Sequence, residues 1–361
     1  MDLVNETPLA AECFVTELEE GLPRIGVLLA KATFTFDGEG QVTLDADDPF
    51  PIYRGDEETE LGLLPGDLVL RDDPALEVIL LGEALAPPGQ PVEQMYVTLA
   101  VGEQVGHLLV SGDRWWQIAL DGEGRIAPEH CTPTPPYPFE RMPLTWERSF
   151  GGTVEVLIDE EAPLDVAHPL NPAGRGFDAE AQALELGKAL QAPPGYPVVE
   201  RVRPLPNVED PAHPVTRWDD EPPPAGWGAL PVSSTIRALH ARPALEAMET
   251  PPSPMLPPEI LHRAHPDWVI PIPEPGTRVF LRGMVPGHPE LSFDLPRLQV
   301  FADYVAGERE GSAEMKPHLL ALLPGERRFY LLYRLLFNYP LDPMAERCIR
   351  LRTAEGWYST G

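Results

Sequence analysis

The sequence has few cysteines, few basic residues and no long apolar run, and each shortage narrows the class of protein. Its three cysteines, Cys13, Cys131 and Cys348, lie far apart and form no Cys-X-X-Cys pair. An odd number of scattered cysteines is typical of neither a disulfide framework nor a zinc knuckle. The cysteine content therefore predicts a protein of a reducing compartment.

The first residues lack the features of a secretory leader. Residues 1–6 contain neither the basic region nor the apolar region of a signal peptide. No apolar run in the sequence approaches the roughly 18 residues that a membrane-spanning helix requires. We therefore expect a cytoplasmic protein.

Lysine and arginine are scarce relative to acidic residues. The chain has 57 aspartates and glutamates against 27 lysines and arginines, which gives a formal net charge of -30 at pH 7. This charge repels nucleic-acid phosphates and anionic lipid headgroups, so we expect neither nucleic acid nor a membrane surface as a partner. The acidity either serves solubility alone or provides a face for a basic protein.

Proline, by contrast, is abundant and unevenly distributed. Of the 46 prolines, 29 lie within residues 131–275. Because proline cannot donate to a central sheet ladder or sit inside a helix, this part is predicted to lack long regular elements. Tryptophans such as Trp146 and Trp218 supply anchoring apolar surface, which favours ordered irregular chain over disorder. Within this part, helical patterns span residues 178–192, 236–248 and 259–265.

The remaining sequence favours β-strands. Two hairpin patterns turn through Asp37-Gly-Glu-Gly40 and Gly102-Glu103. The candidate strands are residues 24–36, 41–44, 75–81, 95–101, 104–110, 278–282, 297–305, 316–323 and 328–337.

Together these patterns predict a mainly β protein in three parts. Residues 1–130 and 276–361 are expected to contribute antiparallel, β-sandwich-like sheets. Residues 131–275 form the Pro-rich irregular middle, which carries short helices. The three parts are either separate units or one cooperative unit.

Standard catalytic and metal-binding spacings are absent. We find no phosphate-binding glycine loop, no zinc-protease motif and no nucleophile elbow. His262, His265 and Asp267 are close in sequence, but Pro266 interrupts any helix there, so we interpret them as a surface turn. Cys131 follows a histidine that nothing nearby would orient, which favours a packed cysteine. We therefore predict no metal, no cofactor and no catalytic residue.

One catalytic alternative stays open at this point. A chain with 57 acidic residues can bring two carboxylates together in space, and sequence spacing does not reveal their separation. A carbohydrate-active hydrolase that uses paired carboxylates would have this chemistry.

Dense clusters of Gly, Pro, Asn, Arg and Trp are the most distinctive feature, since together they fix irregular backbone in one conformation. In one interpretation, Arg114, Arg148 and Arg175 pair with buried carboxylates and backbone carbonyls. In the other, the loops form a recognition surface for a protein. The residues that we predict to contact a partner or to shape these loops are Asp113, Arg114, Trp115, Trp146, Arg148, Gly151, Gly152, Asn171, Gly174, Arg175, Phe177, Asn207, Glu209 and Trp227.

Nine such segments occur in order along the chain: Asn5-Glu-Thr-Pro8, Ala30-Lys-Ala-Thr-Phe34, Gly66-Asp-Leu68, Gly82-Glu-Ala-Leu-Ala-Pro87, Gly112-Asp-Arg-Trp115, 138–152, Asn171-Pro-Ala-Gly-Arg-Gly-Phe177, Leu205-Pro-Asn-Val-Glu209 and Pro224-Ala-Gly-Trp-Gly228. Read in this order, they resemble the bacterial family called domain of unknown function twenty-one sixty-nine. The resemblance runs from the first residues to about Phe337 and so covers nearly the whole chain.

The resemblance implies a role in type VI secretion. Members of that family are encoded beside spike proteins, PAAR-like tip proteins and toxic effectors, and are regarded as adaptors or chaperones for effector loading. It implies no enzymatic residues, because none are established in the family. We therefore expect a non-catalytic adaptor whose exposed Trp and Arg groups bind an effector, a PAAR-like tip or a spike protein. A structural component that travels with the secreted particle is the remaining alternative.

Overall fold

In the computed structural model, two large β-sheets pack face to face and share one core. The structure describes residues 2–17, 24–119, 121–122, 127–159, 162–177, 204–248, 256–306, 309–339 and 347–354.

The described elements are mostly strands. In chain order the strands are β1 Asp2–Asn5, β2 Ala10–Thr16, β3 Ile25–Phe36, β4 Val42–Leu44, β5 Glu57–Thr59, β6 Gly62–Leu64, β7 Ala75–Leu80, β8 Glu83–Leu85, β9 Gln94–Val101, β10 Gln104–Ser111, β11 Trp116–Gln117, β12 Thr132–Pro133, β13 Arg141–Pro143, β14 Phe150–Gly151, β15 Thr153–Asp159, β16 Ala162–Ala167, β17 Arg175–Gly176, β18 Val208–Glu209, β19 Val269–Pro271, β20 Arg278–Val285, β21 His288–Asp294, β22 Val300–Ala306, β23 Arg309–Leu323, β24 Arg328–Asn338 and β25 Arg347–Thr353. The helices are α1 Thr235–Glu246 and α2 Pro258–Leu261, with 3₁₀ turns at Pro128–His130, Trp146–Arg148, Pro266–Trp268 and Pro324–Glu326.

The larger sheet follows the order β1-β25-β22-β23-β24-β3-β2, and β4, β7 and β19 join it at the side. Its longest pairing runs antiparallel from Arg328 opposite Thr35 to Asn338 opposite Ile25. Strand β3 is buried along almost its whole length, which explains its nearly continuous apolar sequence. Because β1 and β2 stand at opposite ends of this order but are neighbours in the chain, the sheet curls until its two ends approach each other.

The second sheet has the order β18-β10-β9-β20-β21 and is antiparallel throughout. Phe293 of this sheet stacks on Phe36 and Phe329 of the larger sheet, with ring centroids 4.7 and 5.0 Å apart. These stacked rings join the two inner faces, as expected for a sandwich. The prediction of a mainly β, sandwich-like fold is confirmed.

Strands from the two ends of the chain build both sheets together. In the larger sheet β3 pairs with β24, and in the second sheet β9 pairs with β20. Two pairings in the larger sheet, β1 with β25 and β7 with β23, are parallel. The parts 1–130 and 276–361 therefore share their sheets, while the boundaries between the three parts stay a prediction.

The Pro-rich middle contains more regular structure than its proline content predicts. Strands β15 and β16 form a hairpin in a proline-poor stretch that begins at Thr153. The expectation that this part lacks long regular elements is therefore wrong there, because proline density averaged over 145 residues hides such stretches.

The three helical patterns have different outcomes. The pattern at 236–248 is confirmed as α1, and the pattern at 178–192 lies outside the described residues. The pattern at 259–265 is wrong beyond Leu261, since His262 is already extended. Tertiary contacts explain this ending: His262 contacts Asp73, and the backbone N–H of Arg263 donates to Glu77.

Three strands of the C-terminal part differ from their predicted bounds by three residues or more. Strand β20 continues to Val285, three residues beyond its predicted end at Arg282. Strand β22 begins at Val300, three residues later than predicted, where Val300 finds partners in Met315 and Thr353. Strand β23 begins at Arg309 rather than at Lys316. Within the described part of the chain, no helix has the length and apolar character needed to cross a membrane.

Candidate functional site

The loop segments singled out in the sequence converge around the buried side chain of Asn207, immediately before β18. Its amide nitrogen donates to the carbonyl of Ser111 at 3.1 Å and to Oδ1 of Asp113 at 3.0 Å. Its amide oxygen accepts from Nη1 of Arg148 at 3.1 Å. One amide therefore holds together three segments that are distant in sequence.

A buried ion pair lies beside this amide. Arg114 donates to Glu209, and both side chains are almost entirely excluded from solvent. The other oxygen of Glu209 accepts from the backbone N–H of Val215 at 2.7 Å. Burial raises the pKa of the Glu209 carboxyl, although Arg114 and this backbone donor oppose the shift. Arg114 thus behaves as the structural interpretation predicts, by pairing with a buried carboxylate.

Asn171 shapes the adjoining loop. Its amide nitrogen donates to the carbonyls of Trp146 at 2.8 Å and Phe150 at 3.0 Å. Gly151 has a φ of 143°, and a Cβ there would overlap the carbonyl of Asn171. A Cβ on Gly174 would approach the Asn171 amide nitrogen to 2.5 Å. These glycines are required because the backbone segments pass too close for a side chain.

The same loop is closed by backbone bonds and aromatic packing. The N–H of Gly152 donates to the carbonyl of Asn171 at 2.9 Å, and the N–H of Phe177 donates to Gly151 at 2.9 Å. The ring of Phe177 packs edge-on against His168, with centroids 5.4 Å apart. These predicted residues therefore act as loop-shaping groups.

Three charged side chains of the cluster reach the surface. Nη1 of Arg148 and Nη1 of Arg175 each lie 3.5 Å from Oδ1 of Asp113. Arg175 also donates through Nε to the carbonyl of Glu147 at 3.2 Å. Burial, together with the neighbouring positive charge of Arg148, lowers the pKa of Arg175. Two guanidinium groups therefore share one carboxylate at the edge of solvent.

The tryptophans of the cluster are less exposed than expected. Trp227 is only 3% exposed, and its ring packs edge-on against Trp268 with centroids 6.0 Å apart. The expectation that Trp227 offers an exposed contact is wrong, because it fills the core beneath β10. Trp146 is half-buried and donates through Nε1 to the carbonyl of Gly228 at 3.1 Å.

Exposed aromatic surface comes instead from tyrosines that the sequence did not single out. Tyr137 is 65% exposed, and its ring meets that of half-buried Trp115 edge-on at a centroid distance of 5.6 Å. Tyr96 on β9 is 58% exposed. A single exposed ring is ordinary on a protein surface, whereas exposed rings beside other apolar surface mark an interaction site.

Tyr96 lies in an open groove of about 910 Å³ on the outer face of the second sheet. Thr98, His107 and Arg282 line the same groove with it, and residues 85–89 and 286–289 form the two sides. These two side segments contain prolines and glycines and present mainly apolar surface. A groove of this size with few polar groups is typical of a binding site.

The groove adjoins the charged cluster through direct contacts. Gln94, on the same face of β9 as Tyr96, donates to the hydroxyl of Ser111 at 2.9 Å. Asp113 follows two residues later, and its carbonyl accepts from the backbone N–H of Tyr137 at 3.0 Å. A series of neighbours thus connects the groove to the arginines. We call the set Tyr96, Trp115, Tyr137, Asp113, Arg148 and Arg175 the contact face.

A second group of charged residues, whose pairing the sequence analysis did not predict, is buried on the other face of the larger sheet, beneath the segment that follows β4. Nζ of Lys31 is 2.6 Å from Oδ2 of Asp67, and both side chains have no solvent exposure. Lys31 also lies over the rings of Tyr53 and Tyr330, 3.9 and 4.4 Å from their centroids. Burial lowers the pKa of Lys31 to about 8 and raises that of Asp67.

Further charges extend this interior network. Arg71 contacts Glu77 at 2.7 Å and Asp73 at 3.2 Å. Burial and the charges of Arg334 and Arg71 lower the pKa of His318 to about 3, so the ring is neutral in the folded protein. Lys31 and Asp67 both lie in segments that carry the family resemblance, Ala30-Lys-Ala-Thr-Phe34 and Gly66-Asp-Leu68. The two residues are 36 positions apart, and nothing local in either segment predicts that they pair.

The residues considered for metal binding and nucleophilic chemistry have structural contacts. His262 contacts Asp73 at 3.0 Å, whereas His265 is 3.5 Å from Asp267. Cys131 is buried and its thiol lies 3.5 Å from the carbonyl of Ala127. Among the described residues, no three His, Cys, Asp or Glu side chains are placed to hold a metal ion.

The groove offers little to the hydrolase alternative. Glu140 is the single carboxylate among its described lining residues. The two acids of a glycosidase must face each other at about 5 to 9.5 Å. The paired-carboxylate interpretation therefore gains no support from this groove.

Comparison with known proteins gives one family. Residues 23–334 match the family described as "Uncharacterized protein conserved in bacteria (DUF2169)". This span contains all the loop segments named above except Asn5-Glu-Thr-Pro8, which precedes it. Neither the curated proteins nor the solved structures give a match. Since the match covers most of the chain, the protein belongs to this bacterial family of domain of unknown function twenty-one sixty-nine.

Proposed function

We propose that this protein is a non-catalytic adaptor or chaperone of the cytoplasm. It binds an effector or a PAAR-like tip protein and assists its loading onto the spike of a type VI secretion system. The secretion context comes from the family resemblance, and the mode of binding comes from the contact face.

The observation that carries the proposal is the composition of the contact face. Tyr96 and Tyr137 expose most of their surface. Asp113 joins Tyr137 to the arginines, since its carbonyl accepts from the Tyr137 N–H and its carboxylate lies 3.5 Å from both Arg148 and Arg175. Tyrosine, tryptophan and arginine are the residues that most often dominate the binding energy of protein interfaces. Their occurrence next to an apolar groove is typical of a surface that binds a protein rather than of one that contacts only solvent.

Rigidity is the second support. Asn207, Asn171 and the Arg114–Glu209 pair fix the loops that carry these side chains. A binding surface that is already ordered loses less conformational entropy when its partner binds. An adaptor that binds only the competent state of its cargo stabilises that state by mass action.

Co-expression with the effector or tip protein encoded beside this chain tests the proposal. Affinity capture is expected to recover a complex, and the soluble yield of the cargo is expected to rise. The double variant Tyr96→Ser/Tyr137→Ser should abolish both effects while remaining folded. Tyr304→Ser is the matched control, because Tyr304 is 37% exposed on β22, outside the contact face. Failure to capture either protein, or equal capture by the double variant and the wild type, contradicts the proposal.

A further inference from the structure

The arrangement of Asp113, Arg148 and Arg175 is unbalanced in charge. Both guanidinium groups approach the same oxygen, Oδ1 of Asp113, and each stops 3.5 Å away. A charge-assisted hydrogen bond between such groups is normally about 2.7–2.9 Å long. Asp113 therefore neutralises the pair only loosely, and Glu147 supplies the second negative charge that acts on Arg175.

The two arginines are held in place by other groups. Arg148 donates to the buried amide oxygen of Asn207 at 3.1 Å, and Arg175 donates to the carbonyl of Glu147 at 3.2 Å. These bonds do not depend on Asp113. The guanidinium groups are thus preorganised whether or not the Asp113 carboxylate stays between them.

Both arginines keep hydrogen-bond donors that are available. Within the described part of the chain, Nε and Nη2 of Arg148 and Nη2 of Arg175 have no partner. Their side chains are 28% and 29% exposed, so a molecule in solution can reach them. The guanidinium fork matches the planar, bidentate geometry of a carboxylate.

A paired positive site is unusual on a chain with a formal net charge of -30. Most of the surface of such a protein repels anions, so a site that attracts one must be built from specific residues. Burial and, second to it, the neighbouring charge of Arg148 lower the pKa of Arg175, while Asp113 and Glu147 oppose this shift.

We propose that Arg148 and Arg175 form a receptor for a carboxylate group of the bound protein partner, and that Asp113 partly fills this receptor in the free protein. The inference rests on the proposed function, because it names the chemistry that the partner supplies at the contact face. The present occupant is itself a carboxylate, so the receptor already accommodates this group. On binding, the carboxylate of the partner takes the unused donors and competes with Asp113 for the two guanidinium groups, while Asp113 keeps its hydrogen bond from Asn207.

The Nε–Hε signals of the two arginines in nitrogen-15 NMR spectra test the receptor directly. The probes are two acetylated peptides that share an apolar sequence and differ in where they carry a single carboxylate. In one, a glutamate is added to the sequence and the C-terminus is an amide. In the other, there is no glutamate and the C-terminus is a free carboxylate. At constant ionic strength, at least one peptide should shift both signals saturably. The peptide that binds more tightly identifies the source as a side chain or a C-terminus.

An uncharged peptide amide of that sequence is the control and should leave both signals in place. If the control peptide shifts the two arginine signals as much as both carboxylate peptides do, the proposal is overturned. It is also overturned if none of the peptides shifts either signal. Arg175→Gln should abolish the shift of the Arg148 signal.

Asp113→Asn gives the sharper test, since it removes the competing charge but keeps an oxygen that accepts from Asn207. We expect this variant to bind the better peptide at least threefold more tightly than the wild type. Equal or weaker binding by Asp113→Asn would show that Asp113 is not a competing occupant and would overturn the proposal. Asp219→Asn is the matched control and should have no effect, because Asp219 pairs with Arg217 on the exposed surface.

Partner capture separates the two proposals. If Arg175→Gln captures the partner as well as the wild type while Tyr96→Ser/Tyr137→Ser does not, the adaptor function stands and the receptor is rejected as a partner contact. If no partner is captured but the arginine signals respond to carboxylate peptides, the adaptor function fails and the anion site alone is retained.

Discussion

The ammonium nitrogen of Lys31 lies 2.6 Å from Oδ2 of Asp67 on the face of the larger sheet that points away from the second sheet, and neither side chain has any contact with solvent. The same carboxylate oxygen accepts from the backbone N–H of Tyr53 at 2.6 Å, and Lys31 donates to the carbonyl of Pro51 at 2.8 Å. This pair therefore ties the segment after β4 to the central strand β3.

Removal of one partner from this pair is expected to destabilise the fold strongly. Lys31→Met leaves the Asp67 carboxylate buried without its counter-charge. Asp67→Asn likewise leaves the Lys31 ammonium group buried without its counter-charge. Each should lower the free energy of unfolding by about 3–5 kcal/mol. The double variant should lose clearly less than the sum of the two, as urea denaturation will measure. Additive losses would mean that the two groups do not stabilise each other.

The ion pair between Arg114 and Glu209 should matter far more than an exposed one. Arg114→Met strands a buried carboxylate and should cost about 3–5 kcal/mol of unfolding free energy. Arg217→Met breaks the exposed pair with Asp219 and should change that quantity by less than about 0.5 kcal/mol. Similar losses in both variants would contradict the structural role assigned to Arg114.

Gly112 should not tolerate a side chain. A Cβ at this position would overlap the carbonyl oxygen of Tyr137, which belongs to the backbone and cannot move aside alone. Gly112→Ala is therefore expected to lower the melting temperature by several degrees and to weaken partner capture, because Tyr137 must shift. Gly55→Ala is the control, since nothing lies within 4 Å of a Cβ there. Equal melting temperatures for the two variants would contradict the close approach.

His318 makes the folded state sensitive to acid. Burial lowers its pKa in the folded protein to about 3, below the ordinary value of 6.5 that the unfolded chain keeps. Between these values the unfolded chain binds more protons, so stability is fully present above pH 6.5 and falls as the pH drops toward 3.

His318→Gln removes this proton linkage. From pH 7 to pH 5 the wild type should lose about 2 kcal/mol more unfolding free energy than the variant. Chemical denaturation at both pH values measures the difference. Parallel losses in the two proteins would show that His318 titrates equally in the folded and unfolded chains.

Local sequence patterns were sufficient to predict many of the strands but not to predict which strands pair with each other. The pattern around Gly102 predicted the β9–β10 hairpin, and the apolar run at residues 24–36 predicted β3 as a strand but not its central position in the sheet. The pairing of β3 with β24 joins residues about 300 positions apart, and no local signal encodes such a contact.

The candidate site was predicted only in part, because the sequence shows local backbone requirements but not contacts between distant segments. Asn207, Asn171 and Gly151 were found because they fix unusual backbone, which leaves a mark in the local sequence. Trp227 was predicted to be exposed because it lies in a loop between two glycines. In the structure β7 and β10 cover it, and it is buried. Tyr96 was missed because its exposure depends on where residues 85–89 and 286–289 lie.

Hydrogen exchange of the complex with the neighbouring effector or tip protein tests the central claim most directly. If the contact face and its groove bind the partner, amides of residues 85–98, 113–115, 137–141, 147–149, 174–176 and 282–289 should gain protection, while those of β22 should exchange as in the free protein. Protection confined to regions outside these segments, with the groove unchanged, would contradict the account.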